Sequence, residues 1–284
     1  MGQWDDWIGR EQRQADRLDP ALAARFLATF DLPPPGDGAM PQGVHFCLCT
    51  PDVSTRLLGE DGHPHRQGSR AGFLPPLPLP RRMWAGSSIA FHRPIAIGQA
   101  VERTSRIAAI TEKRGSAGAL VFVEIDHATS ADGELAVEER QTLVYREAAP
   151  ADAALSPPVA RPRAFDHAGW DAYREIAPGP PLLFRYSALT FNSHRIHYDL
   201  PYARDTERYR GLVVHGPLTA SLLLQLAAAQ FGENRLARFA FRGLSPAIAG
   251  DPLHLVMRGA GDSLELAAYA GDGRQVVEAE AALA

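Results

Sequence analysis

The sequence predicts an α+β protein made of two similar halves, each an antiparallel sheet wrapped around a central helix. The chain of 284 residues is 45 % hydrophobic and 22 % charged, as in globular proteins, and its length suits two domains. Strand-like stretches rich in Val, Ile, Phe and Thr fall into two groups along the chain. Residues 217–231 are apolar nearly all round the helix that they predict, and such a helix is buried.

A proline- and alanine-rich stretch at residues 148–163 separates the two groups. Its prolines are incompatible with a helix interior or an interior strand, so we expect a linker there. This division gives an N-terminal domain of residues 1–147 and a C-terminal domain of residues 164–284, which we call the N-terminal half and the C-terminal half.

The first half begins with a helix signal, because Asp19-Pro20 supplies an N-cap and a first-turn proline. Residues 59–80 contain glycines, histidines and the run PPLPLP, and we expect a long surface loop there. Strands are predicted at Ser87–His92, Ala100–Thr111, Ala119–Ser130 and Leu135–Arg146. The sequence SADGE at 130–134 indicates a hairpin.

The second half shows a similar order. We predict a strand at 182–190 (LLFRYSALT), then an irregular segment rich in histidine, then the buried helix at 217–231. Four more strands are predicted at Leu236–Leu244, Leu253–Arg258, Leu264–Tyr269 and Gln275–Leu283. One helix wrapped by an antiparallel sheet is the hotdog arrangement, so the two halves together predict a double hotdog of the α+β class.

Composition excludes several classes of function. The net charge of −4 gives no electrostatic footprint for nucleic acid or an anionic membrane surface. No apolar stretch approaches the ~20 residues that span a bilayer. The N-terminal segment is polar and lacks the apolar core of a secretory signal, so a cytoplasmic location is expected.

Polar and titratable residues crowd the segment 187–219, between two apolar stretches. It contains His194, His197, Asp199 and His215, which is an unusual set to lie beside a buried helix. His197 is the best candidate for a catalytic base, and Asp199 either orients its imidazole or caps the following turn. A structural role suits His194 and His215 better than a direct catalytic role.

The dipeptide His215-Gly216 comes directly before Pro217 at the start of the buried helix. Gly216 allows the backbone to approach a ligand closely, and the free N–H groups of a helix start can bind an oxygen that gains negative charge. A simple helix start without a ligand explains the same residues equally well.

A metal site is a competing interpretation of this segment. His194, His197 and Asp199 offer two imidazoles and a carboxylate, with His215 as a further ligand. The last histidine follows after only 16 residues, directly at a helix start, so we predict no metal. The motifs GxSxG, GxGxxG and the Walker loop are absent from the sequence.

The residues 196–199 (IHYD), 202–203 (YA) and 213–216 (VVHG) form a specific pattern. In order and spacing they resemble the hydratase motif of the MaoC-like hotdog family of R-specific enoyl-thioester hydratases. The sequence ALTFNSHRIHYD at residues 188–199 resembles more closely the sequences of one subfamily. This subfamily contains the hydroxyacyl-thioester dehydratases type 2 and the mesaconyl-C4-CoA and itaconyl-CoA hydratases. The resemblance covers the whole chain and implies that a degenerate N-terminal hotdog precedes the one that carries the motif.

The sequence departs from the family at the position of its catalytic aspartate, which is Asn192 here; the family's asparagine and proline become His194 and Arg195. An amide cannot exchange a proton as a carboxylate does. The resemblance implies water addition to an α,β-unsaturated acyl-CoA, with His197 taking the proton of a water that Asn192 holds. Backbone N–H groups near Gly216 would stabilise the enolate.

Several arginines, a histidine and a tryptophan are candidates for contacts with the substrate. Arg195, Arg208 and Arg210 are candidates for a distal carboxylate, and Arg238 and Arg242 share one strand face as candidates for the CoA phosphates. His215 and Trp84 are further candidates for substrate binding, the latter in a segment that follows the proline run. No cofactor is expected beyond the CoA of the substrate, and a homodimer is a plausible assembly.

Two other functions remain open from the sequence. Hotdog folds also host thioesterases, but these take a carboxylate from the central helix, and residues 217–231 contain none. A non-catalytic acyl-CoA-binding module is favoured only by the amide at Asn192.

Overall fold

A computed structural model describes residues 3–65, 72–115, 118–159 and 164–284. The strands are β1 (Glu11–Arg17), β2 (Arg81–Phe91), β3 (Ala100–Gly115), β4 (Gly118–Ala131), β5 (Glu134–Arg146), β6 (Ala172–Ile176), β7 (Leu236–Gly243), β8 (Leu253–Ala260), β9 (Ser263–Ala270) and β10 (Gln275–Leu283). The α-helices are α1 (Pro20–Phe30), α2 (Pro180–Leu189) and α3 (Gly216–Phe231).

All ten strands form one antiparallel sheet in the order β1-β3-β4-β5-β2-β7-β10-β9-β8-β6. Read inward from each edge, the two halves repeat the same order, because β6 to β10 take the places of β1 to β5. The halves meet where β2 pairs with β7, from Gly86 opposite Arg242 to Ala90 opposite Arg238. The predicted double hotdog of the α+β class is confirmed.

The central helix α3 fills the C-terminal half. Ten of its residues, from Leu218 to Ala227, are buried without a break, as its all-round apolar sequence predicts. Among its described residues the N-terminal half has no central helix comparable to α3, which corrects the expectation of a central helix in each half. At the corresponding place it has a 3₁₀ turn, Val44–Cys47, and its helix α1 is the counterpart of α2. Prolines 33–35 and Pro41 interrupt any longer helix here.

Most of the helices and strands predicted at stated residues agree with the structure, but the strand at residues 182–190 does not. The Asp19 carboxylate caps α1 by accepting from Leu22 N at 2.7 Å, and the SADGE hairpin joins β4 to β5. Residues 182–190, predicted as a strand, lie in α2 instead. Pro180 begins this helix and Leu183, Tyr186 and Leu189 are buried at helical spacing.

The predicted linker and loop are only partly described. The described part of the linker packs on the C-terminal half, where Ser156 N donates to Arg208 O at 2.8 Å. Residues 160–163 and 66–71 lie outside the described residues, and the domain boundaries stay a prediction. No helix in the described part of the chain combines the length and the apolar character that crossing a membrane requires.

Gly86 lies where the two halves of the sheet join. A Cβ added there would lie 2.3 Å from the Phe241 carbonyl oxygen and 3.1 Å from Arg242 Cα, both backbone atoms of β7. We expect Gly86→Ala to lower the free energy of unfolding by about 3 kcal/mol, because β2 and β7 must move apart. Urea denaturation measures this change.

The matched control is Gly36→Ala, since a Cβ at Gly36 meets nothing within 4 Å. Equal stabilities of the two variants would contradict the expectation for Gly86.

Candidate active site

The histidine-rich segment enters the protein interior immediately after α2. The chain turns at Phe191, whose φ is 48°, and forms a 3₁₀ turn at Arg195–His197. Asn192 Oδ1 accepts a hydrogen bond from His194 N at 3.0 Å and so fixes the approach to this turn. As a result His194 and His197 point inward with 6 % and 7 % of their surface exposed.

His197 presents one defined nitrogen to the interior. Its Nδ1 lies 2.7 Å from the carbonyl oxygen of Val213. A carbonyl oxygen can only accept, so Nδ1 carries the hydrogen in the neutral ring and Nε2 carries the lone pair. Burial lowers the pKa of His197 to about 4, although the bond to Val213 opposes this shift. His197 is therefore a neutral imidazole at pH 7 with a free basic nitrogen.

Two further imidazoles surround His197. His215 stacks on it with ring centroids 3.5 Å apart, and His194 meets it edge-on at 5.4 Å. Ser187 Oγ lies 2.8 Å from His215 Nε2. Burial, followed by the charge of neighbouring histidines, holds the pKa of both residues well below its ordinary value. The three rings thus form a neutral cluster.

The start of α3 faces the same space. Gly216 is the first residue of this helix, and Thr219 N is the first amide that bonds back, to His215 O at 3.1 Å. The structure gives the N–H of Gly216 no partner within the described part of the chain. A donor of this kind at a helix N-terminus suits an oxygen that gains negative charge.

These groups line one cavity of about 1680 Å³ that both halves enclose. Of the predicted site residues, the cavity brings together Asn192, His197, His215, Gly216, Trp84 and Arg242. Trp84 forms a fixed wall, because its Nε1 donates to Ser87 Oγ at 2.9 Å. Arg242 is exposed at the edge of the cavity and paired with Glu278 at 2.7 Å.

Asp199 and Arg195 do not enter the cavity. Asp199 does not orient His197: its carboxylate accepts from Tyr202 N at 3.1 Å and from Arg195 Nη2 at 2.7 Å. The alternative role of bracing the turn fits this geometry. The expectation that Arg195 binds substrate is corrected, because its guanidinium is already held by Asp199 and lies over the Tyr202 ring.

Three other predicted arginines are also placed away from the catalytic histidine. Arg208 donates to Ala153 O at 2.7 Å, and Arg210 is paired with Asp251. Arg238 lines a separate depression on the outer side of the sheet, together with Glu11 and Glu138. The strand spacing of Arg238 and Arg242 does not bring both to the cavity, since only Arg242 lies at its edge.

Sequence reasoning missed the contribution of the loop at residues 59–65, which was interpreted as a surface loop. His63 lines the cavity, and its ring lies 4.1 Å from that of His194. Asp61, His63 and His194 each place one ligand atom within 4.8 Å of the others. The only signal in the sequence was an Asp and two His in a glycine-rich loop, which is typical of exposed loops as well.

Comparisons with known proteins agree with this geometry. The family model of hydroxyacyl-thioester dehydratase type 2 matches residues 43–249. The mesaconyl-C(4)-CoA hydratase of Chloroflexus aurantiacus is 41 % identical over 97 % of this chain and 96 % of that protein. The mitochondrial hydroxyacyl-thioester dehydratase type 2 of Schizosaccharomyces pombe is 26 % identical over 78 % of each chain. The crystal structure of HtdX of Mycobacterium tuberculosis has a TM-score of 0.66 at 20 % identity, covering 96 % of this chain and 99 % of that one, which shows the fold alone.

Proposed function

Because the chain belongs to the hydroxyacyl-thioester dehydratase type 2 family, we propose that it adds water reversibly to a short α,β-unsaturated acyl-CoA with a second carboxylate. It is an acyl-CoA hydratase/dehydratase, a carbon–oxygen lyase, as the relative that is 41 % identical along nearly the whole chain is by name. One observation supports the chemistry best: His197 and Gly216 line the same cavity, and the described residues leave both His197 Nε2 and the N–H of Gly216 without a hydrogen-bond partner.

In the proposed reaction His197 Nε2 takes a proton from water as the oxygen bonds to the β-carbon. Negative charge then develops on the thioester oxygen, and the N–H of Gly216 at the start of α3 stabilises it. The water lies against Asn192, whose Oδ1 is occupied by His194 N, so its NH₂ group is the part that can donate.

The second carboxylate of the substrate is assigned to Arg82 on β2. This side chain lines the cavity and forms no hydrogen bond or ion pair within the described part of the chain. The arginines predicted for this role, Arg195, Arg208 and Arg210, are each held by other groups. A guanidinium without a partner in a partly buried cavity is suited to a carboxylate ligand.

The alternatives lack supporting features. A thioesterase would need a carboxylate on α3, whose buried polar side chains are Thr219, Ser221 and Gln225. A binding module without catalysis does not require a basic nitrogen aimed into the cavity. A cytoplasmic location, a homodimer and the absence of a cofactor beyond CoA remain part of the proposal.

The test uses mesaconyl-C4-CoA and crotonyl-CoA, which carries no second carboxylate. We expect the wild type to add one water to both, detected by mass spectrometry. Arg82→Gln should lower kcat/KM for mesaconyl-C4-CoA about 100-fold, because a charge-assisted hydrogen bond to a buried carboxylate is lost.

Crotonyl-CoA is the internal control, and its kcat/KM should change less than about threefold. An equal loss with both substrates would contradict the assignment of Arg82. Free CoA in place of the hydrated product would instead establish a thioesterase.

A further inference from the structure

The loop at residues 59–65 belongs to the N-terminal half but docks on the catalytic turn of the C-terminal half. Arg195 N donates to Asp61 O at 2.9 Å, and Ser193 Oγ donates to Gly62 O at 2.5 Å. Gly62 has a φ of +85°, and a Cβ there would lie 1.9 Å from Ser193 O. Only glycine permits this close approach, so the loop has a fixed position beside the catalytic histidine.

Within this loop Asp61 and His63 form a carboxylate–imidazole pair. Asp61 Oδ2 lies 2.9 Å from His63 Nδ1, and Oδ1 accepts from His63 N at 3.0 Å. Burial raises the pKa of Asp61, but the hydrogen bonds from His63 and the charge of Arg82 outweigh it, so this pKa lies below its ordinary value. A charged Asp61 holds the hydrogen of His63 on Nδ1 and favours the protonated ring.

The pair lies beside the reacting groups. His63 lines the cavity, its ring packs on His194, and His194 in turn contacts His197. The C-terminal half has an amide at Asn192, where a carboxylate would be able to carry a proton. A second imidazole beside the reacting groups is placed to deliver the proton that the α-carbon must receive after water attacks the β-carbon.

We propose that His63, held by Asp61, is the acid that protonates the α-carbon, so that the N-terminal half supplies one of the two catalytic groups. The proposal rests on the hydratase function above. His197 Nε2 takes the proton of water, the water oxygen bonds to the β-carbon, and the electron pair of the double bond moves to the enolate. Protonated His63 then gives its Nε2 proton to the α-carbon. After product release His197 loses its proton to solvent and His63 gains one, so the cycle closes.

A metal ion is a weaker interpretation of the same cluster. Both oxygens of Asp61 are already engaged by His63, and the His63 and His194 rings are tilted by 38° to each other. His63 Nδ1 lies 2.9 Å from Asp61 Oδ2, so these two atoms are paired with each other, whereas a metal requires ligand atoms that are directed at the ion. The experiment below includes this alternative.

The test compares Asp61→Asn with the wild type on mesaconyl-C4-CoA. We expect kcat to fall about 100-fold with KM changed less than threefold, because His63 loses the carboxylate that holds it in place and favours its protonated form, while the groups that bind the substrate are unchanged. The alkaline limb of kcat/KM should move down by about one pH unit or more, since an adjacent negative charge raises the pKa of an imidazole. The charged and titratable groups around His63 are Asp61, Arg82, His194 and His197, and only the first is altered.

Two further variants separate chemistry from structure. His63→Ala should lose activity to a similar extent and recover part of it with added imidazole, which a structural role would not produce. His92→Gln, which changes an exposed histidine of the same half that lies outside the cavity and is paired with Glu138, is the matched control and should keep the wild-type kcat and pH profile.

Three outcomes would overturn the proposal. If the wild type is active and Asp61→Asn keeps its kcat and its alkaline limb, the hydratase function stands but the assignment of His63 as the acid is wrong. Wild-type activity that disappears with a chelator and returns with zinc would assign the cluster to an ion. A wild type without turnover on any enoyl-CoA would overturn both this proposal and the hydratase function.

Discussion

Replacing His197 with alanine is expected to lower kcat about 1000-fold, the largest effect on activity that we predict for a single side chain. His197 offers a neutral Nε2 to the cavity because Val213 O fixes the hydrogen on Nδ1. Of the two imidazoles that contact His197, His215 has its Nε2 engaged by Ser187, and His194 meets His197 edge-on with its Nε2 buried. Turnover of mesaconyl-C4-CoA, followed by mass spectrometry, measures this loss.

The control is His92→Ala, which removes an exposed histidine paired with Glu138 at 2.8 Å. It should retain full activity. Circular dichroism of both variants excludes unfolding as the cause of a loss. If His197→Ala kept even a tenth of the wild-type kcat, the assignment of the base would be wrong.

Acid should unfold this protein at a comparatively high pH, because burial lowers the pKa of five histidines in the described part of the chain. Burial, as the largest cause, lowers the pKa of His45 and His127 to about 3 and of His197 to about 4, and it holds His194 and His215 well below 6.5. In the unfolded chain each titrates near 6.5. Between pH 6.5 and 4 the unfolded state therefore binds protons that the folded state does not, so stability falls as the pH falls.

The expected size is large relative to the stability of a domain. Each proton contributes about 1.4 kcal/mol per pH unit, so five histidines lower the free energy of unfolding by roughly 6 kcal/mol from pH 7 to 5.5. Domains are stable by only about 5–15 kcal/mol. Urea denaturation at a series of pH values measures this dependence.

His45→Gln provides the matched comparison, since His45 lies in the N-terminal half, outside the proposed site. Its pH dependence should be smaller than that of the wild type by about one proton. A stability that stays constant from pH 7 to 5.5 would show that these histidines are not buried in neutral form.

The sequence predicts elements best where one pattern dominates. The helix α3 is apolar on every side, and the long strands of β3 to β5 are rich in β-branched residues, so both were predicted close to their observed bounds. The segment 182–190 has a short apolar run that suits a strand or a helix equally. The segment forms a helix because a proline begins it and because Leu183 and Tyr186 are buried on one helical face. The edge strand β1, with sequence EQRQADR, lacks any apolar alternation, because most of its residues are exposed.

The site was predictable only where its residues are close in sequence. His197, Asn192 and Gly216 lie within one segment, and the structure places all three around the cavity. Asp199 does not orient His197 and Arg195 does not bind substrate, because their spacing of four residues along this turn brings the two side chains to each other. Asp61 and Arg82 are more than a hundred residues away in the chain, and local spacing cannot indicate a contact that depends on how two halves dock.

The pairing of β2 with β7 has a consequence for how the protein behaves at low concentration. Gly86 to Ala90 join the halves through backbone hydrogen bonds within one chain. Assembly of the cavity is thus a unimolecular event, in which the covalent connection sets an effective concentration in the millimolar range for each half toward the other. Dilution, which separates subunits that associate by mass action, does not separate two partners on a single chain. At the nanomolar levels of an assay the two halves of each chain therefore still enclose the cavity together.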